Sequence, residues 1–200
     1  MAGSVAVSER TEAQFRGLRM TADEFLEFPD DGYHYELIDG VVDMSASPNP
    51  QHQRITMEIG TQIALFLRNH AVGEVLPEID VHIGQGPTGG DLVYKPELIF
   101  VRSERLPAMR DKIIGGPDLV VEVVSRGSRR MDSETKKNDY ERFGVREYWL
   151  IDPERKAMTF WRLKGGRFVE VSAAGDTFVS EAVAGFVLDL SRVRETFKPW

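Results

Sequence analysis

The chain has 200 residues and a formal net charge of −7, and it contains no cysteine. The missing cysteine excludes disulfides, thiolate metal sites and a thiol nucleophile, and the acidic balance argues against non-specific coating of nucleic acid. No apolar run approaches the ~20 residues that span a bilayer. We therefore expect a cytoplasmic protein with no membrane segment, in which residues 1–18 form a flexible tail and residues 19–200 one domain.

The first part of the folded chain alternates between helix and hairpin signals. A capping-box pattern predicts a short opening helix, and Asp39-Gly40 predicts a hairpin turn between two alternating runs. Asn49 followed by Pro50 predicts the start of a long helix with one apolar stripe. His52 lies in the first turn of that helix, where a capping or surface role and a functional role are equally well supported.

Two strands are predicted next, over residues 73–83 and 92–101, joined by the segment GQGPTGGD. This segment formally matches GxGxxG, but a strand follows it and a proline interrupts it. We therefore predict a hairpin loop and reject a dinucleotide-binding loop. Glu97 follows Pro96 within the second strand, where an exposed carboxylate at a sheet edge is the simplest interpretation.

Residues 116–125, GPDLVVEVVS, have the most apolar strand pattern in the chain. Apolar residues on both faces predict a central strand that is covered on both sides. Asp118 and Glu122 share one face of this strand. A buried carboxylate is costly unless it is paired, hydrogen-bonded or bound to a metal, so Glu122 must have a partner elsewhere in the chain.

A basic loop and a helix over residues 133–143 follow the central strand. Lys136 and Tyr140 are four residues apart and therefore share one face of this helix. Residues 145–152 then predict another apolar strand, and residues 157–171 a hairpin. This order of elements predicts an α/β fold with a mixed sheet, whose parallel part is the crossover from the central strand to the strand over residues 145–152.

Two acidic residues near strand ends and a lysine on the next helix can form a metal-dependent hydrolytic centre. Glu97 and Glu122 would supply the oxygen ligands that hard divalent cations prefer. Lys136 would orient a water or stabilise the charge that builds up on a phosphate. A surface network of ion pairs explains the same three residues without catalysis, and their spacing alone does not decide between the two interpretations.

Several motifs, taken together and in order, resemble the Uma-type family of proposed restriction endonucleases in the PD-(D/E)XK nuclease superfamily. They are YELIDG, SPNPQHQ, KPELIFV, GPDLVVEVVS, DSETKKNDY and GVREYWLIDP. The resemblance runs from about residue 20 to the C-terminus. It implies a restriction-endonuclease-like core, in which a mixed central β-sheet is flanked by helices.

The resemblance also implies roles for individual residues. The first and second acidic residues of the superfamily fall on Glu97 and Glu122, and both would bind the metal. The superfamily lysine would fall on Val124, and in Uma-type proteins it is displaced to the position of Lys136. Glu36 matches an early acidic residue that can complete the metal shell. Where the family normally has aspartate this chain has Glu97, which is one methylene longer, and catalytic positioning tolerates errors of only ~0.5 Å.

Other residues are assigned secondary roles. Those with supporting roles are Asp118, His52 and Tyr140. Basic residues after the central strand form a local positive ridge where a phosphate backbone would approach. The candidates for phosphate contact, for which a solvated loop is the plainer interpretation, are Arg126, Arg129, Arg130 and Lys137.

The expected function is that of a Mg²⁺-dependent DNA endonuclease, with Mn²⁺ as a substitute, that cuts phosphodiester bonds with a metal-activated water and forms a homodimer. Two alternatives stay open. The first is a nuclease fold with impaired catalysis that binds nucleic acid or regulates, which the departure at Glu97 favours. The second is a metal-dependent hydrolase of small phosphate esters, which the acidic net charge favours.

Overall fold

The computed structural model describes residues 15–28, 32–44, 49–109, 112–125 and 127–198. Most of the predicted N-terminal tail and the candidate phosphate contact Arg126 lie outside these ranges. Within them, no helix combines the length and the apolar character that a membrane crossing requires.

The described ranges contain one long α-helix and several short helices. The α-helices of the described ranges are α1 (Ala22–Leu26), α2 (Pro50–Leu67), α3 (Lys137–Arg142) and α4 (Leu190–Glu195). A 3-10 helix covers Leu106–Ala108, and a π-helix, Met131–Lys136, runs directly into α3. Two predicted helix starts are confirmed. The capping box is present at the start of α1, and the Asn49 side chain accepts from the His52 backbone N–H at the start of α2.

The strands form two larger sheets and a two-stranded ribbon. In chain order they are β1 (Tyr35–Ile38), β2 (Val41–Met44), β3 (Gly73–Pro77), β4 (Val81–Gln85), β5 (Asp91–Tyr94), β6 (Leu98–Arg102), β7 (Ile113–Ile114), β8 (Leu119–Val123), β9 (Glu147–Asp152), β10 (Ala157–Lys164), β11 (Arg167–Glu170), β12 (Thr177–Val179) and β13 (Val187–Asp189). The five-stranded sheet has the order β2-β1-β5-β4-β7, the six-stranded sheet has the order β11-β10-β9-β8-β6-β3, and β12 pairs with β13.

Both larger sheets are mixed. The pairs β4–β7 and β8–β9 are parallel, and the other pairings within these two sheets are antiparallel. The predicted crossover is confirmed, because β8 leads through the π-helix and α3 into its parallel neighbour β9. The mixed α/β fold class predicted from the sequence is therefore confirmed.

The central strand β8 is buried along its whole length, as its sequence pattern predicts. Its side chains at Leu119, Val121 and Val123 pack with the apolar stripe of α2, and Val120 packs on the other face against Tyr148. Burying one such aliphatic side chain stabilises the fold by roughly 1.5–3 kcal/mol. The two carboxylates of this segment, Asp118 and Glu122, are buried with it.

Two segments predicted as single strands are each divided between the two larger sheets, so those predictions are wrong. Residues 73–83 form β3 in one sheet and β4 in the other, and Glu78 between them has a φ of +46°. Residues 92–101 form β5 and β6 in the same way, with a break at Lys95-Pro96-Glu97. A left-handed residue turns the chain, and a proline has no N–H for the ladder.

The two breaks lie side by side, because the Glu78 N–H donates to the Glu97 carbonyl oxygen at 3.3 Å. Both chain segments therefore leave one sheet and enter the other at the same place. A predicted α-helix over residues 133–143 also differs from the structure, since a π-helix occupies its first part. Short π-helical segments are frequent at functional sites.

Candidate active-site cleft

A cleft of about 310 Å³ opens where the chain changes sheets. Its walls come from the β1–β2 hairpin, the first turn of α2, the break before β6, the end of β8 and the π-helix. Charged and titratable side chains dominate its interior. Those that concern the proposed chemistry are Glu36, His52, Lys95, Glu97, Glu122, Asp132 and Lys136.

Lys136 lies among three carboxylates. Its Nζ is 2.7 Å from Glu36 Oε1, 3.1 Å from Glu122 Oε1 and 3.8 Å from Asp132 Oδ1. The side chain is only 6% exposed. Burial lowers the pKa of Lys136, but the charges of Glu122, Glu36 and Asp132 outweigh burial and hold that pKa well above its ordinary value. The group is therefore an ammonium throughout the physiological pH range.

Glu122 has the partners that a buried carboxylate in β8 requires. Besides Lys136, the Tyr140 hydroxyl donates to Glu122 Oε1 at 2.7 Å. Burial raises the pKa of Glu122, Lys136 lowers it, and the neighbouring carboxylates raise it again, so the net pKa lies well above the ordinary range. Burial is therefore the main reason that the Glu122 carboxyl binds its proton more tightly than an exposed glutamate does.

Asp132 is a buried carboxylate of the cleft that the sequence reasoning did not assign to the site. The Ser128 hydroxyl donates to Asp132 Oδ2 at 2.6 Å, and the Tyr148 hydroxyl donates to the Asp132 carbonyl oxygen at 3.0 Å. Burial is the main cause that raises the pKa of Asp132. Its spacing of four residues from Lys136 is the signal that could have placed it here.

Glu97 is held by the first turns of α2. His52 Nε2 is 3.2 Å from Glu97 Oε1 and 2.8 Å from the Val123 carbonyl oxygen, so it carries the proton shared between these two acceptors. One turn later, the Thr56 hydroxyl donates to Glu97 Oε2 at 3.4 Å. Burial lowers the pKa of His52, but the hydrogen bond and charge of Glu97 outweigh it and the pKa is raised.

Glu36 joins the β1 strand to the break before β6. The Lys95 backbone N–H donates to Glu36 Oε1 at 2.9 Å, and the same oxygen contacts Lys136. The structure thus brings Glu36, Glu97, Glu122 and Lys136, which the sequence selects, into one cleft.

Asp118 lies away from the cleft. It is buried, and it forms ion pairs with Arg102 at 3.6 Å and with Arg105 at 3.1 Å. Its backbone carbonyl oxygen accepts from the Glu147 N–H of β9. These contacts support the position of β8 and do not reach the carboxylates of the cleft.

The described members of the predicted basic ridge also have partners outside the cleft. Arg129 pairs with Asp152 at 2.8 Å and with Glu154 at 2.9 Å. Arg130 pairs with the exposed Glu134, and the Lys137 ammonium lies 5.3 Å from the centre of the Trp161 ring. None of the three is among the cleft-lining residues, and phosphate contact by them stays a prediction.

The donor set of the cleft fits a divalent cation in chemical type and in charge. Its carboxylates offer the oxygen ligands that Mg²⁺ and similar hard cations take, and they outnumber the lysine that contacts them. Within the described ranges, no three His, Asp or Glu side chains gather closely enough to hold a metal ion. The fit therefore concerns donor type and charge, and the arrangement of ligands around an ion does not follow from it.

The two mixed sheets with their flanking helices define a restriction-endonuclease-like fold. The chain belongs to the Uma2 family, described as "Putative restriction endonuclease", whose model matches residues 22–191. The resemblance seen in the sequence motifs is confirmed by that match.

A solved structure has a similar fold. It is the crystal structure of a "putative nuclease belonging to DUF820" from Anabaena variabilis ATCC 29413. The TM-score is 0.73 and the sequence identity 18%, and the match covers 90% of this chain and 99% of the other. No curated protein matches the chain.

Proposed function

We propose that the protein is a metal-dependent DNA endonuclease that hydrolyses phosphodiester bonds with an activated water. The observation that carries this proposal is the burial of Lys136 between Glu36 and Glu122 in a cleft that also holds Glu97. A surface ion-pair network would leave these side chains exposed, whereas Glu36, Glu122 and Lys136 are at most 6% exposed. Buried ion pairs contribute little net stability, which favours a functional reason for this one.

Surplus negative charge supports a divalent cation, with Mg²⁺ as the expected ion and Mn²⁺ as a substitute. Carboxylate oxygens of Glu36, Glu122 and Asp132 all lie within 3.8 Å of the Lys136 ammonium, so three acidic groups share one lysine. A bound divalent cation would add positive charge beside these carboxylates, polarise a phosphoryl oxygen and make a water more acidic. Glu97 and Glu122 are the proposed ligands, and Glu36 completes the set.

The protein residues around these ligands fix their positions. Lys136 contacts Glu36 and Glu122 and keeps a buried positive charge among the proposed ligands. Tyr140 holds Glu122 through its hydroxyl. His52 donates to Glu97 and acts as a positioning residue, since its Nε2 is already engaged.

A plasmid-nicking assay with Mg²⁺ or Mn²⁺ tests the proposal. Glu122→Gln preserves the shape of the side chain but removes its charge, and we expect at least a ~100-fold loss of nicking. Glu134→Gln is the matched control, because Glu134 is an exposed carboxylate in the neighbouring helical segment. Calorimetry should show loss of metal binding for the first variant alone. The proposal is overturned if the wild-type chain fails to nick DNA with Mg²⁺ and also fails with Mn²⁺.

A second candidate is a hydrolase of small phosphate esters. The cleft of about 310 Å³ has the size of a small-ligand pocket, and the acidic side chains of Asp43 and Glu78 also line it. Turnover of a small phosphodiester without DNA binding would select this candidate. DNA binding without cleavage would select a nuclease fold with impaired catalysis, which the departure at Glu97 favours. The homodimer implied by the family resemblance stays a prediction, which light scattering tests.

A further inference from the structure

A second lysine of the cleft, Lys95, has surroundings unlike those of Lys136. The Lys95 side chain is 26% exposed, against 6% for Lys136, and it forms part of the cleft wall. Its backbone N–H is fixed to Glu36 at 2.9 Å, and two residues later the chain reaches Glu97. The main chain of Lys95 is therefore tied to the carboxylates, while its ammonium remains accessible from the cleft.

Lys136 has little capacity left for a substrate. A lysine ammonium carries three N–H donors, and Lys136 has carboxylates of Glu36, Glu122 and Asp132 around it. Its near-complete burial also keeps a phosphate away. A contact with a substrate phosphate must therefore come from another cation of the cleft.

Lys95 is the better placed of the remaining cations. Among the described residues, the Lys and Arg side chains lining the cleft are Arg16, Lys95 and Lys136. Arg16 is 63% exposed at the outer edge and pairs with Asp43 at 3.2 Å. Because its side chain is well solvated, Arg16 has less to gain from a phosphate than the less exposed Lys95 next to the carboxylates.

The ion pair that Lys95 forms with Asp80 is loose. Its Nζ is 3.4 Å from Asp80 Oδ1, longer than the ~2.8 Å of a charge-assisted hydrogen bond. Asp80 Oδ1 is buried and has no hydrogen-bond partner within the described ranges. The ammonium therefore keeps donors for an anion, while Asp80 supplies a counter-charge until the anion arrives.

We propose that Lys95 contacts a backbone phosphate of the DNA substrate in the cleft. This assignment rests on the proposed function and adds the residue through which the substrate phosphate is recognised. Lys95 touches the substrate and not the cation, so its removal weakens DNA binding and leaves metal binding intact.

The test must separate contact with DNA from the neutralisation of Asp80. Lys95→Met alone leaves the buried Oδ1 atom of the partly exposed Asp80 side chain without a counter-charge and destabilises the fold. The double variant Lys95→Met with Asp80→Asn removes both charges, and Asp80→Asn alone leaves Lys95 free. Lys164→Met is a matched control, because Lys164 is an exposed lysine of β10 that lies outside the cleft. Thermal unfolding checks that each variant is folded.

Binding is measured by fluorescence anisotropy with a labelled DNA oligonucleotide, in chelator and over a series of salt concentrations. Relative to Asp80→Asn, we expect the double variant to bind more weakly, with the slope of log Kd against log salt reduced by about one. Lys95→Arg in the Asp80→Asn background should restore that slope, and the Lys164→Met control should retain it.

Equal affinity and equal slope for Asp80→Asn and the double variant overturn the assignment, because Lys95 is then only a counter-ion for Asp80. A wild-type chain that binds no DNA either in chelator or with Ca²⁺ in place of Mg²⁺ overturns both the assignment and the proposed function. Binding that depends on Lys95 in a chain that does not cut supports the assignment and overturns only the cleavage.

Discussion

Replacing Lys136 by methionine should reveal how much its charge stabilises the carboxylates of the cleft. Methionine is unbranched and of similar length, so the substitution leaves no large cavity and its effect is mainly electrostatic. The two contacts at 2.7 and 3.1 Å are lost, as is the longer one at 3.8 Å. Breaking a buried ion pair from one side costs about 3–5 kcal/mol, and we expect a loss of that size in the free energy of unfolding at pH 8.

The loss should depend on pH in a defined direction. Without Lys136, the pKa of Glu122 rises further above its unfolded value of about 4.3, because the charge that lowered it is gone. A raised pKa means that the folded state binds protons more tightly than the unfolded state. The stability is then greatest below the unfolded pKa and falls as the pH rises through the folded pKa. The free energy of unfolding that Lys136→Met loses relative to the wild type should therefore be large at pH 8 and small at pH 5.

Urea unfolding at pH 5 and pH 8, followed by tryptophan fluorescence, measures the difference. Trp149 is buried in the core and reports global unfolding. Lys137→Met is the control, and its loss of the contact with Trp161 should cost less than about 1 kcal/mol at both pH values. The reasoning is refuted if Lys136→Met loses less than about 1 kcal/mol at pH 8, or loses equally at both pH values.

Two further substitutions probe other contacts. Glu97→Asp withdraws the carboxylate by about 1.5 Å from His52 and Thr56. Nicking should therefore fall by about 100-fold while the melting temperature stays unchanged. Undiminished nicking in the plasmid assay would show that the longer side chain is not required. Burial raises the pKa of Asp152, but hydrogen bonds from Arg129 outweigh burial, and the net pKa is lowered. The ionised carboxylate therefore stabilises the fold above its unfolded pKa, and this stabilisation is lost as the pH falls through its folded pKa. Asp152→Asn should therefore lose about 1 kcal/mol at pH 7, and its gap in melting temperature to the wild type should narrow toward pH 3; a gap that widens on acidification contradicts this.

The elements that local sequence determines were predictable. The apolar stripe and the Asn49 cap define α2, and the run from Leu119 to Val123 defines a strand buried on both faces. Each of these signals lies within one element and depends on the burial of its own side chains. The crossover to β9 followed because short chain connections strongly restrict how parallel strands can be joined.

The division of two predicted strands between different sheets was not predictable from periodicity. The alternation of Val75, Ile79 and Val81 runs through the first break although Ile79 is exposed. In the second segment, buried apolar residues lie on both sides of the break. Pro96 was a local signal for one break, and it was taken for a strand edge. The turn at Glu78 has no such signal, because only the surrounding structure holds a glutamate at a positive φ.

The site was predictable only in part, because some of its residues are brought together by the tertiary fold. The family motifs selected Glu36, Glu122 and Lys136, and the structure places them in contact. Asp132 was missed although its spacing from Lys136 was visible. Lys95 was missed because its place in the cleft depends on β5 and β6 belonging to different sheets, which Pro96 alone does not specify.

The paired breaks beside Glu97 limit how the chain tolerates changes in length. One inserted or deleted residue near Glu78 or before Glu97 would shift strands in both sheets and displace an acidic side chain of the cleft. Homologues and engineered variants should therefore keep these two connections at constant length and accommodate insertions elsewhere, such as the turn between β10 and β11. An alignment gap at either connection would then mark a chain that has lost this cleft.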